Sequence, residues 1–556
     1  MPTLNWIGKE AVINHHLQVP YRLIRSDDDA SPGAAGAGNL LIEGDNLHAL
    51  KALLPYYRSS IKCIYIDPPY NTGNQQWVYN DNVNSPEMRK WLGEAVGSEA
   101  EDLSRHDKWL CMMYPRLSLL RDLLRDDGTI FISIDDNEYS YLLCIMDEIF
   151  GRGNFVGTIV WKNVTDNNPT NISVEHEYVM CYAKRKDLLP PVWKSATLPV
   201  KDRLIEVGSD FINRYPDIQK RQETYTEWFR KNKSFLWPFD RYKYIDDGGI
   251  YTGSQSVHNP GKEGYRYDVL HPNGKPSTQP LMGYRFPWDS MQKLLNEKRI
   301  LFGEDETKIV ELKVYVQDYR SKLSSLFELD GRVGTNELKN IFPESKRPFD
   351  FPKPTALIEE ILSFTTQGDD IVLDSFAGSG TTGHAVWKLN QQDRGSRRFI
   401  LIEIDAQVAR KITAERLKRV KASQSDSQLN LLDNEVPTPS FRYCHLDDPL
   451  FDEHGQIREV VTFSDLAHHI YFSETGVPLP KAVDGQRPLI GTANDVAYYL
   501  LWAGRGSVNV LDSVTLAKFK HAGPKVVYAD KCRLTDSQLR RANVVFRQIP
   551  YSIKVN

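Results

Sequence analysis

At 556 residues the chain exceeds what one hydrophobic core ordinarily organises, and about two to four domains are expected. Hydrophobic residues make up 41%, charged residues 26% and aromatics 11%, which excludes a mainly disordered or fibrous protein. The formal net charge is −4, so any preference for nucleic acid has to be local.

No run approaches the roughly 18 to 20 apolar residues of a membrane helix, and the start, MPTLNWIGKE, lacks a signal-peptide profile. No membrane association and a cytoplasmic location are expected. The six cysteines, Cys63, Cys111, Cys144, Cys181, Cys444 and Cys532, lie far apart without a CxxC pair. That spacing argues against a disulfide framework and against a cysteine zinc site.

In chain order, residues 1–38 read as an N-terminal arm and linker, closing on the Gly-, Ala- and Asp-rich SDDDASPGAAGAG. Residues 39–184 alternate short apolar runs with helical periodicity. Leu40–Ile42, Ile61–Ile66 and Gly128–Ile134 read as strands, with helices at Asn46–Tyr57 and Lys108–Arg125 between them. Val156–Trp161 and Tyr178–Tyr182 add two further strands.

Residues 185–345 lose that pattern and gain charge. From 184 to 300 there are 21 Lys and Arg against 14 Asp and Glu, a balance of +7. Lys220, Arg221, Arg230, Lys231, Lys233, Arg241 and Lys243 interleave with aromatics that include Tyr225, Trp228, Phe229, Phe235, Trp237, Phe239 and Tyr242. Cations neutralise phosphates and aromatic faces stack on bases, whereas a small aromatic core under a solvated basic face has the same composition.

Periodicity returns in residues 346–420, with helices at Thr355–Phe364 and Thr382–Leu389 and strands at Asp370–Leu373 and Phe399–Ile404. This block has too few strands to stand alone. It and residues 39–184 are therefore expected to build one α/β sheet around a large insertion. The polar stretch 421–440 reads as a linker, and 441–556 as a C-terminal domain without assignable chemistry.

Two loops carry chemistry. After the strand ending at Asp374 comes Phe376-Ala377-Gly378-Ser379-Gly380-Thr381-Thr382-Gly383, and Glu403 follows 20 residues beyond Gly383 at the end of the next strand. This matches a dinucleotide-type fingerprint, in which glycines allow close backbone approach and the distant carboxylate accepts ribose hydroxyls. A phosphate loop fits less well, because His384 and Ala385 stand where Lys and Ser or Thr are needed. A glycine turn without a ligand is the plain alternative.

The other loop, Asp67-Pro68-Pro69-Tyr70-Asn71-Thr72-Gly73, follows Ile61–Ile66, at the strand end where open α/β sheets place ligands. Two prolines stiffen the turn and leave carbonyls to accept hydrogen bonds, Asp67 adds a carboxylate, and Tyr70 a flat ring. A rigid turn offering acceptors beside a stacking face suits the amino group of an extruded base.

Together these loops resemble the β group of amino-methylating DNA methyltransferases, and most of all the modification subunits of type III restriction systems. The likeness is carried by EGDNL (Glu43–Leu47), DPPYNTG (Asp67–Gly73), DDGTIFISID (Asp126–Asp135), HEYVMCYAK (His176–Lys184), FPKP (Phe351–Pro354) and DSFAGSGTTG (Asp374–Gly383), and covers roughly residues 1–420. It implies a doubly wound, mostly parallel sheet with permuted motif order, an inserted target-recognition domain and a C-terminal α+β domain. It further implies S-adenosylmethionine as cofactor, near Asp45, Lys353, Pro354, Asp374, Phe376, Gly378, Gly380 and Glu403, and catalysis by Asp67, Pro68, Pro69 and Tyr70. Double-stranded DNA, a helicase-nuclease restriction partner and a homodimer are the implied partners, and methyl transfer needs no metal. DPPY rather than SPPY implies adenine N6 as acceptor, with cytosine N4 or a catalytically idle DNA-recognition subunit as the alternatives.

A nucleotide-dependent oxidoreductase would use the glycine loop but leave Asp67–Tyr70 unexplained. Among other polar groups, His15 and His16 are read as surface or interface residues rather than a metal pair. Asp135, Asp136 and Glu138 are read as a solvated strand end, and Glu175, His176 and Glu177 as fixing a loop near the target base.

Overall fold

The computed structural model describes residues 3–27, 30, 38–71, 104–164, 171–193, 195, 198–233, 236, 239–258, 263–319, 323–426, 440–481, 483–504, 507–550 and 553. Thr72, Gly73, Phe235, Trp237 and most of the two expected linkers (28–29, 31–37 and 427–439) lie outside the described residues. The chain divides into two compact units, residues 1–192, 324–388 and 396–556 in the first, and 193–323 with 389–395 in the second.

The first unit is organised by a ten-stranded sheet. Its strands are β1 (Arg22–Ser26), β2 (Asn39–Glu43), β3 (Ile61–Ile66), β4 (Leu124–Ile134), β5 (Phe155–Lys162), β6 (His176–Ala183), β7 (Leu326–Glu328), β8 (Ile371–Asp374), β9 (Arg398–Glu403) and β10 (Phe441–Pro449). In space they run β1-β10-β2-β9-β8-β3-β4-β6-β5-β7. The six from β10 to β4 are mutually parallel, while β6 and β1 run against their neighbours.

β8 and β9 lie between β2 and β3, so the late block completes the sheet begun by residues 39–134, as the strand count required. The centre is apolar on both faces. Ile61, Cys63, Ile64 and Ile66 of β3 and Phe399 to Ile402 of β9 have no solvent exposure, which is the signature of parallel strands covered by helices. Each such aliphatic side chain contributes about 1.5–3 kcal/mol of burial.

Four helices matter to the site: α1 (Asn46–Tyr57), α2 (Arg105–Leu123), α3 (Thr355–Thr365) and α4 (Thr381–Asp393). Asp45 caps α1 by accepting from the His48 N–H, and Ser104 with Asp107 forms a capping box on α2. α2 is buried almost all round, Trp109 to Leu117 included, because Trp6 and Val12 of the N-terminal segment belong to the same core.

Three features depart from the sequence reading. Residues 3–27, read as part of an N-terminal arm and linker, are folded onto the core, with Val12, Val19 and Leu23 buried and β1 paired to β10. The segment 441–449 is a strand of the main sheet and not the start of a separate domain. In the tail, Val496–Leu500, Lys525–Ala529 and Val544–Gln548 pair in parallel with helical segments between them, an α/β arrangement instead of α+β. An antiparallel hairpin joins this sheet through Asn494 and Asp495, both at positive φ as a tight hairpin turn demands.

Among the described residues the second unit holds two small cores. One packs Leu204, Tyr225, Phe229, Phe239, Tyr242 and Ile250, and the other Val257, Val269, Tyr284, Met291, Ile300 and Leu312. Among the described residues no helix is long and apolar enough to cross a membrane.

Candidate active site

β3 ends by delivering Asp67, Pro68, Pro69 and Tyr70 into a braced turn. The Trp109 indole of α2 donates to the Pro69 carbonyl at 2.7 Å. Asn71 takes a left-handed backbone (φ 57°), and its amide donates to the Glu138 carboxylate at 2.5 Å and to the Arg105 carbonyl at 3.0 Å. Glu138 is fully buried and also meets His106 Nδ1 at 2.7 Å, so it belongs to this brace and not to a solvated strand end. Burial holds its carboxyl above the usual range despite the Asn71 and His106 contacts.

The working face of the turn is a small ionic cluster. The Tyr70 hydroxyl lies 2.9 Å from Asp67 Oδ1 and 3.0 Å from Glu177 Oε2, either of which can accept its proton. Lys353 Nζ stands 3.1 Å from Asp67 Oδ1, 3.1 Å from Glu177 Oε2 and 2.8 Å from the Tyr70 oxygen. Its charge also lies 4.9 Å from the Tyr70 ring centroid and 5.6 Å from that of Trp161. Burial raises the Asp67 carboxyl, and Lys353 pulls it part of the way back. The lysine itself would be lowered by burial, but the two carboxylates outweigh that and raise it, so it stays charged.

Trp161 is a residue that sequence reasoning did not assign here, and Glu177, read as fixing a loop near the target base, instead joins the ionic cluster itself. They sit opposite each other in the antiparallel β5–β6 pair, which puts both side chains on one face. Asn163 fixes Glu177 by donating to Oε1 at 2.7 Å, and the Trp161 indole is anchored on the Leu329 carbonyl at 2.8 Å. The signal was present in HEYVMCYAK, but only the register of β6 shows which of its residues faces the site. His176 instead contacts the Tyr178 hydroxyl.

The glycine loop leaves β8, the parallel neighbour of β3, so its chain and that of the Asp67 turn start side by side at the carboxyl edge. From there α4 leads to β9 on one side while α2 leads to β4 on the other, the topological switch point at which open sheets bind ligands. Thr381 at the start of α4 donates to the Lys353 carbonyl at 3.1 Å, and the Lys353 ammonium reaches Tyr70, so one residue ties the two loops together. Gly378 and Gly380 have φ of 50° and 78°, where a side chain would be strained.

Three carboxyl groups stand at or just beyond the ends of the neighbouring strands β8, β9 and β2. Asp374 accepts from the Thr382 hydroxyl at 2.6 Å and the Phe376 N–H at 3.0 Å, and burial raises it to about 7. Glu403 accepts from the Gly378 N–H at 2.8 Å and the Asp405 N–H at 2.9 Å. Asp45 pairs with buried Arg116 at 3.1 Å, which also donates to Asn46. Among the described residues no group of His, Cys, Asp and Glu could hold a metal ion.

In the second unit Lys220, Arg230, Lys231, Lys233, Arg241 and Lys243 are exposed. Lys231 pairs with Glu227 at 2.9 Å. Arg221 is a correction: it is 2% exposed, its guanidinium donating to the Tyr215 and Pro216 carbonyls and to Asp247, so it is a structural residue. Tyr225, Phe229, Phe239 and Tyr242 are buried and form the core of this unit instead of a stacking surface.

The family model described as DNA methylase matches residues 61–415, well over half of the chain. The chain belongs to that family. Over 418 residues it is 51% identical to the Mod subunit of the type III restriction-modification enzyme EcoP15I of Escherichia coli, covering 72% of this chain and 64% of that protein. It is 32% identical to the StyLTI Mod subunit of Salmonella typhimurium, covering 82% of this chain and 70% of that one. To the EcoPI Mod subunit of Escherichia phage P1 it is 32% identical, over 72% and 63% of the two chains. As a DNA methylase family member it thus spans roughly two thirds of the length of the Mod subunits it matches.

Proposed function

We propose that this chain transfers a methyl group from S-adenosylmethionine to adenine N6 of a base extruded from double-stranded DNA, as the modification and specificity subunit of a type III restriction system. The observation that carries the reading is the placement of Asp67–Tyr70 and the glycine loop at the same end of the adjacent parallel strands β3 and β8. Identity of 51% to the EcoP15I Mod subunit supports the type III role, and DPPY rather than SPPY the choice of adenine.

The donor set fits the cofactor. Carboxyl groups at Asp374, Glu403 and Asp45 suit a cationic ligand bearing hydroxyls and an amine, and they oppose the pyrophosphate that a dinucleotide would bring. In this reading Asp374 takes the ammonium of the methionine end, Glu403 the ribose hydroxyls through its remaining lone pairs, and Asp45 the adenine amine. Phe376, Gly378, Gly380 and Pro354 bound the same space. When bound, the cofactor supplies an electrophilic methyl on a sulfonium.

The protein's work is on the acceptor. The exocyclic amine is a poor nucleophile because its lone pair is conjugated with the ring. The Asp67 carboxylate and the Pro68 carbonyl accept its two hydrogens and favour a geometry with the lone pair out of the ring plane. Tyr70 stacks on the extruded base and offsets part of the few kcal/mol that unpairing costs. Trp109 and Asn71 hold the turn so that this geometry exists before the base arrives.

Lys220, Arg230, Lys231, Lys233, Arg241 and Lys243 are proposed to meet DNA phosphates. Likeness to Mod subunits also suggests a helicase-nuclease partner, a homodimer and a cytoplasmic location. The test is transfer of labelled methyl to DNA by the purified chain, with sequencing of modified bases from cells expressing it to locate the target. N6-methyladenine by mass is expected, and N4-methylcytosine would reassign the acceptor. Asp67→Ala should lower turnover by about a thousandfold or more while cofactor binding is retained. Full activity in that variant would refute the catalytic role, and absence of transfer by the wild type would leave a DNA-recognition subunit.

A further inference from the structure

Lys353 belongs by sequence to the FPKP block expected beside the cofactor, yet its side chain turns to the other loop. Its nitrogen is within hydrogen-bonding distance of Asp67, Tyr70 and Glu177, and lies 4.9 Å from the Tyr70 and 5.6 Å from the Trp161 ring centroid. A nitrogen that donates to Asp67 beside the Tyr70 hydroxyl and 5.6 Å from the Trp161 ring centroid has the chemical character of the amino group that the turn is built to receive. Resting on the function proposed above, we propose that Lys353 is a placeholder for the target base: its ammonium occupies the Asp67 side of the amine subsite, and an entering amine displaces it from Asp67.

The cluster is arranged for such an exchange. The Lys353 backbone is pinned, since its carbonyl accepts from Thr381 and Pro352 and Pro354 flank it. The side chain beyond is a flexible four-carbon stem, free to swing without moving the loop. Glu177 is held by Asn163 and contacts the same ammonium, so it keeps a hold on the lysine when Asp67 changes partner. Two neighbouring carboxylates at 14% and 23% side-chain exposure would repel each other without a cation between them. The placeholder therefore opposes the rise that burial imposes on Asp67 and holds its carboxyl oriented before DNA binds. It also makes entry conditional on a group that donates to Asp67, which favours an amino-bearing base over a keto-bearing one.

The experiment uses the full chain and a duplex with 2-aminopurine at the methylated position, whose fluorescence rises on extrusion. Lys353→Met with Glu177→Gln removes one charge of each sign, so the occupant is lost without stranding a second carboxylate. A severalfold larger extrusion signal than wild type and a lower KM for DNA are expected, with the cofactor Kd within twofold. Lys353→Arg, bulkier and still charged, should reduce the signal. A double variant with unchanged extrusion overturns the placeholder and leaves Lys353 a counter-ion, while a cofactor Kd raised tenfold returns it to the cofactor site. Wild-type protein that transfers no methyl sinks both this and the function beneath it. Methylation by wild type without gain in the double variant sinks the placeholder alone. Circular dichroism and thermal unfolding confirm that each variant is folded.

Discussion

Asp374 is the residue at which burial has the most readable consequence. Its carboxyl is lifted by burial to about 7, against the opposing effect of the Thr382 hydroxyl and Phe376 N–H. The folded value lies above the unfolded one, so the protonated form is favoured by folding. Its stabilising contribution is complete below the ordinary carboxylate value and is lost as pH rises through about 7. A cationic ligand reverses the preference, because it wants the ionised form. Below about pH 7 binding must expel a proton, and the apparent affinity for S-adenosylmethionine should fall by up to about tenfold per pH unit, with a plateau above about pH 8. Isothermal titration across that range, in buffers of different ionisation heat, measures both the slope and the proton. Asp374→Asn should bind more weakly and without the slope. Wild-type affinity that does not vary with pH would remove Asp374 from the cofactor contacts.

At the scale of elements, the helix Ile218–Asn232 shows how composition misleads about individual cations. Lys220 and Arg221 are neighbours, but the first is exposed and the second fills the unit's interior. Arg221→Ala leaves the Tyr215 and Pro216 carbonyls without their donor and should cost about 2–4 kcal/mol, whereas Lys220→Ala should stay within about 0.5 kcal/mol. Hydrogen exchange confined to residues 193–323 separates the two, and equal protection in both variants would contradict the structural role. What could be read in advance follows the same logic. Ile61–Ile66 was legible to the residue, because a buried parallel strand is a continuous apolar run closed by a turn. β1 and β10 were not, since RLIRS and FRYCHLDDP carry the polar residues of strands near a sheet edge and show no clean period. The turn Asp67–Tyr70 announced itself by residue type. The contacts of Lys353 and Glu177 with Tyr70 did not, because one spans 283 positions and the other depends on strand register.

At the scale of the whole molecule, the chain separates chemistry from the segment to which recognition is assigned. Every residue proposed to touch the cofactor or the reacting amine lies in the first unit, which is assembled from both ends of the sequence around one sheet. Among the described residues, 193–323 have two apolar cores of their own. Replacing 193–323 by the corresponding segment of another Mod subunit should therefore change the sequence that is modified and leave the modified nucleoside the same. Phosphate contacts from this segment should also show in the salt dependence of binding: each exposed cation changed to alanine lowers the slope of log K against log salt by about 0.9 if it meets a phosphate. Sequencing of modified bases reads the first outcome and titration at several salt concentrations the second. A hybrid that methylates the original sequence would move recognition out of this unit. Unchanged salt slopes in the six lysine and arginine variants would place the DNA backbone on another surface of the protein.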